Sequence, residues 1–144
     1  MENKSIEILL VEDNPGDVRL TLEALRESRI ANRVTVAQDG AEALEIVRGR
    51  GPTGSEPRPD LILLDLNLPK VNGFEVLEKL KNDHACRRIP IIVFTSSKAE
   101  QDVLKTYNLH ANSFVTKPID FEQFANVVRS IENFWFVVVQ LPPK

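Results

Sequence analysis

The chain has 144 residues, 42% hydrophobic and 27% charged, with a net charge of -3 and a pI near 5.5. That length and make-up fit one globular domain, and the acidic balance argues against a general nucleic-acid or anionic-membrane binder. A single cysteine, Cys86, excludes an internal disulfide. The N-terminus MENKSIEILLVED has no signal-peptide pattern, and no apolar run reaches the ~18–20 residues of a membrane span, so a cytoplasmic protein is expected.

In chain order, short apolar runs alternate with helical patterns. The run Ile8-Leu9-Leu10-Val11 predicts a first strand, and Val18/Leu22/Leu25 a helix opened by Asn14-Pro15-Gly16-Asp17, an N-cap followed by proline in the first turn. Val34-Thr35-Val36 and then Ala41/Leu44/Val47 predict the second strand and helix. Between positions 49 and 59 lie three of the six glycines and three of the nine prolines, which marks an irregular surface loop. Lengthening such a loop costs little, because closure entropy grows logarithmically. Leu61-Ile62-Leu63-Leu64 and Phe74/Leu77/Leu80 give the third pair. Ile91-Ile92-Val93-Phe94 precedes a helix over Val103/Leu104/Tyr107, with Ser97-Lys98-Ala99-Glu100 at capping-box spacing. Phe114-Val115 and Phe121/Phe124/Val128/Ile131 give the fifth. Five strands alternating with five helices imply βα units and a parallel sheet covered on both faces.

Polar residues stand at the carboxyl ends of these strands: Glu12-Asp13 after the first, Asp65 after the third, Thr95-Ser96 after the fourth, and Thr116-Lys117-Pro118 after the fifth. Ligands of open parallel α/β sheets bind in the crevice beyond those ends. A carboxylate directly after four aliphatic residues is costly to desolvate unless something nearby needs it. Two carboxylates about 4 Å apart repel by roughly 4 kcal/mol at an effective dielectric of 20, so three need a cation. An all-oxygen cluster on short loops suits Mg2+. Three acids, one Mg2+ and one lysine sum to zero charge, a balance suited to an electrophilic phosphoryl group under attack by a carboxylate.

Singly, each element has a plainer reading: an acidic pair at a helix start, an Asp cap, a Lys-Pro turn, or hydroxyl residues opening a helix. Their joint placement at four strand ends favours a site. His84, His110 and Cys86 lie in connecting regions and are read as solvated. A dehalogenase-type phosphatase would want a second Asp two residues after the first, where this chain has Asn67. A flavodoxin-like nucleotide binder would want a glycine- and hydroxyl-rich loop where Glu12-Asp13 would repel phosphate. A scaffold that uses the fold without phosphorylation would not need the acids, Thr95 and Lys117 together.

The motifs ILLVEDNPGD, LILLDLNLPKVNGFEVL, IPIIVFTSS and SFVTKP, in this order, resemble the receiver domain of two-component response regulators over residues 5–132. The NPGD start and the long 49–59 loop look most like the single-domain regulators paired with bacterial phytochrome kinases. The resemblance implies a flavodoxin-like, doubly wound, five-stranded parallel sheet in the order 2-1-3-4-5 with five helices. It implies Asp65 as phosphoacceptor from a histidine kinase, with slow self-dephosphorylation and no turnover of an outside substrate. Glu12, Asp13, Asp65 and the backbone carbonyl of Asn67 would hold Mg2+. Thr95 and Lys117 would bind the phosphoryl oxygens, and Pro118 would be cis. Thr95 and Phe114 would form the switch, through packing alone, because Phe114 lacks the hydroxyl of the tyrosine common there. With no DNA-binding domain alongside, output would run through protein contacts or phosphate passing.

The segment 133–144 extends past the receiver pattern. Phe134-Trp135-Phe136 sets three aromatics in a row, and Val127 and Phe134 flank the Phe121/Phe124/Val128/Ile131/Trp135 stripe of the last helix. Aromatics bury about 150–250 Å² each, enough for an interface-sized patch. A homodimer through Val127, Phe134, Trp135 and Phe136 is therefore expected, against the alternative of a tail folded back on its own domain.

Overall fold

The computed structural model describes residues 5–28, 31–49, 58–68, 73–83, 86–95, 113–116 and 122–130, with Thr95 and 113–116 as backbone alone. Its elements run β1 (Ile6–Val11), α1 (Pro15–Arg26), β2 (Asn32–Ala37), α2 (Gly40–Val47), β3 (Leu61–Asp65), α3 (Gly73–Lys81), β4 (Ile91–Thr95) and β5 (Ser113–Thr116), followed by a helix over 122–130, here α4. All strand pairs are parallel, in the order β2-β1-β3-β4-β5. The doubly wound parallel α/β architecture expected from the sequence is the one observed. The expected helix over Val103–Tyr107 and most of the 49–59 loop lie outside the described residues.

The helices begin where side chains satisfy their first N–H groups. The Asn14 side chain accepts from Asp17 N at 3.0 Å, with Pro15 just inside the helix. Asp39 does the same for α2, accepting from Glu42 N at 2.8 Å. α2 stops at Gly49, whose φ of 77° is the left-handed conformation that glycine adopts without a Cβ penalty.

Alternation along each strand splits the core in two. Leu9, Val11, Ile62, Leu64, Ile91 and Val93 face α2 and α3, packing with Leu44, Val76, Leu77 and Leu80. Ile8, Leu10, Leu61, Leu63, Ile92 and Phe94 face α1 and α4, packing with Leu25, Phe124 and Val128. Every residue of β3 is buried, which is why residues 61–64 are aliphatic without a break. Phe94 and Phe124 meet edge to face, with centroids 5.8 Å apart.

One expectation changes. Cys86 is not solvated: it is 3% exposed and belongs to the α2–α3 side of the core. Residues 86–89 form a tight turn, with Cys86 N and Arg87 N donating to Asp83 O, and Lys81 Nζ donating to the carbonyls of Arg87 and Ile89. That turn folds a small thiol inward, where it behaves as a hydrophobe. Burial, reinforced by Asp83, pushes its pKa up. Val127 is half-buried against this chain's own α1–α4 cluster, so only part of it is left for a partner. Phe134, Trp135, Phe136 and His84 lie outside the described residues.

Candidate functional site

Strand register builds the site. Val11 of β1 pairs with Leu64 of β3, so the next residue of each strand, Glu12 and Asp65, stand level at the carboxyl edge of the sheet. Glu12 N donates to Ala37 O at 3.0 Å, and Leu66 N to Phe94 O at 3.2 Å, so both neighbouring ladders continue into the site and hold its backbone. Glu12 is 0% exposed and Asp65 1%, while Asp13 is exposed.

The three carboxylates converge. One oxygen from each of Glu12, Asp13 and Asp65 lies within 4.8 Å of the others. Backbone donors aim two of them: Asn14 N donates to Glu12 Oε2 at 3.2 Å, and Asn67 N to Asp65 Oδ1 at 3.0 Å. At a 4.8 Å separation a pair of unit charges repels by about 3–4 kcal/mol at an effective dielectric of 20. A hard divalent cation relieves that repulsion, and an all-carboxylate donor set fits one. One exposed and two buried acids leave an open side, as suits an ion that must also take water or a substrate oxygen.

The other expected residues are placed less fully. Thr95 ends β4, and its backbone pairs with Thr116 of β5, bringing both to the edge that carries the acids. Phe114, on the edge strand β5, pairs with Val93 of β4. Lys117, Pro118 and Ser96 lie outside the described residues. One residue at the site escaped the sequence reading: Gly73, the first of α3, is buried against the backbone of Asp65 and Leu66. The Asn72-Gly73 pair before an apolar helical pattern was the available signal, since a glycine can mark a turn or a close backbone approach.

The sequence profile of the response regulator receiver domain family matches residues 8–129. The chain belongs to that family. It is 43% identical over 135 residues to the response regulator Rcp1 of Synechocystis sp., covering 94% of this chain and 92% of that protein. The crystal structure of the phosphorylated cyanobacterial phytochrome response regulator RcpA superposes with a TM-score of 0.80 at 43% identity, covering 97% of this chain and all of that one. The Mn2+-bound form of Rcp1 gives a TM-score of 0.78 at 42% identity, covering 96% and 99%. The receiver identity read from the four motifs is therefore established. Among the described residues no helix is long and apolar enough to cross a membrane.

Proposed function

We propose that this chain is a single-domain response regulator that takes a phosphoryl group on Asp65 from a histidine kinase. The observation that carries the reading is the buried Asp65 beside buried Glu12 and exposed Asp13, all at the carboxyl edge of a receiver sheet. An Asp65 carboxylate oxygen attacks the phosphorus of a phosphohistidine. A P–O bond forms, the P–N bond breaks, and the imidazole leaves with its electron pair and takes up a proton. The Asn67 N–H bond to Oδ1 holds one carboxylate oxygen, which orients the other for attack.

Glu12, Asp13, Asp65 and the Asn67 carbonyl would hold Mg2+, which when bound neutralises phosphoryl oxygens. The capture of Mn2+ by the relative Rcp1 supports a divalent site. Thr95 and Lys117 supply the remaining donors. Phosphorylation replaces one negative charge on Asp65 by roughly two. Movement of Thr95 and Lys117 toward that charge then repacks Phe114 and switches the surface offered to partners, with Pro118 cis in the turn after Lys117. The likeness to RcpA, a phytochrome response regulator, supports a phytochrome-type kinase as donor and a role in light signalling.

The complete domain on this reading spans 5–132, with five strands, five helices and a dimerising extension over 133–144. Partners are the kinase and a downstream protein.

Acetyl phosphate with Mg2+ tests the chemistry. The protein gains one phosphoryl group, Asp65→Asn gains none, and EDTA suppresses labelling of the parent. Label that persists on the Asp65→Asn variant would place the acceptor elsewhere. Thr95→Ala accepts the group but loses the phosphorylation-dependent shift in Phe114 resonances; an unaltered shift would remove Thr95 from the switch.

A further inference from the structure

We infer that Gly73 is a positioning residue for the acidic site, holding the Asp65–Asn67 backbone at its working height through direct main-chain contact. This rests on the metal and phosphoryl site proposed above. A Cβ built on Gly73 would lie 2.4 Å from Leu66 Cα, 2.6 Å from the Asp65 carbonyl oxygen and 3.0 Å from the Leu66 carbonyl carbon. All three are backbone atoms, so no side chain can swing aside to admit a methyl group. Gly73 N also donates to Leu66 O at 3.1 Å. The first residue of α3 is thus seated on the backbone of Asp65, which carries the carboxylate, and of Leu66, with Asn67 one residue further.

What α3 gains from this seat is a fixed height relative to β3. Val76, Leu77 and Leu80 lock the helix into the core, each at most 2% exposed, so the helix has little freedom to retreat. Any side chain at position 73 therefore pushes the Asp65–Leu66 backbone rather than the helix. A shift of about 1 Å is enough to matter, since misplacement on that scale can cost roughly 100-fold in rate. Leu66 N is itself held by Phe94 O, so the displaced backbone strains against β4 as well. The aim of Asn67 N at Asp65 Oδ1 moves with it.

Mn2+ titration of the purified full chain, followed by electron paramagnetic resonance, reads the site without needing phosphorylation. Gly73→Ala weakens Mn2+ about 10- to 100-fold, the range typical of lost support behind metal ligands. It also slows labelling by acetyl phosphate at saturating Mg2+ by at least about tenfold. Val128→Ala, which opens the opposite face of the core, lowers thermal stability but leaves Mn2+ affinity unchanged. Mn2+ binding by Gly73→Ala within about twofold of the parent overturns the inference while leaving the site intact. Failure of the parent itself to bind Mn2+ overturns the proposed function and this inference together. Should the Gly73→Ala variant not fold, amide exchange in the parent decides. Mg2+ then slows exchange of the Gly73 N–H more than that of Leu80 at the far end of α3, and equal slowing counts against the role.

Discussion

Asp65 and Glu12 are held at 1% and 0% exposure within 4.8 Å of each other, an arrangement whose charge repulsion costs stability and which a bound cation would relieve. The cost has a sign that can be measured. Asp65→Asn removes one of the three charges and leaves an amide oxygen that can still accept from Asn67 N. In EDTA the Asp65→Asn variant should be more stable than the parent by about 1–3 kcal/mol, part of the pairwise repulsion. Mg2+ at about 100 times its Kd should then stabilise the parent by about 2.7 kcal/mol and the variant by less. Urea melts with and without Mg2+ measure both, and a less stable variant in EDTA would show that the acids are not in conflict. Gly73 belongs to the same scale: its missing side chain matters because the atoms it would meet are main chain.

Among the elements, α4 depends most on one residue. Phe124 is fully buried, meets Phe94 edge to face, and anchors the helix over 122–130 to the α1 side of the sheet. Phe124→Ala deletes a ring that the fixed strands β3 and β4 cannot collapse to replace, so it should cost about 3–5 kcal/mol. Asp39→Ala, by contrast, removes only the cap of α2 and should cost about 1 kcal/mol. Denaturant unfolding of both proteins checks the ratio. Equal losses would mean that α4 is loosely docked. β4, which carries Phe94, ends at Thr95.

For the whole molecule, the apolar sequence of the C-terminal segment bears on assembly. Val127 already commits part of its surface to its own core, which leaves Phe134, Trp135 and Phe136 to supply most of any interface. Three aromatics can bury about 450–750 Å² on one protomer, near the roughly 800 Å² per partner of a standard interface. Light scattering at tens of micromolar should report a dimer for the full chain and a monomer for a chain ending at Asn133. A monomeric full chain would mean that the aromatics fold back onto their own domain.

The fold class and the acids were legible in the sequence because both rest on local signals. Aliphatic runs with polar residues at their ends mark buried parallel strands, and the order of ILLVED, LILLD, FTSS and SFVTKP marks the family. The Asn14 cap was legible for the same reason, being a contact between residues three apart. The tertiary structure decided what depends on residues distant in the chain. It brought Glu12 level with Asp65 through the Val11–Leu64 register, 53 residues apart. It turned Cys86 inward, since the turn that buries it is closed by Lys81 and Asp83 and not by any periodic pattern. It also set Gly73 against the Asp65 carbonyl, a contact made by the absence of a side chain. A sequence names the groups that must be buried or charged, but which backbone they press against follows only from the way strands and helices pack.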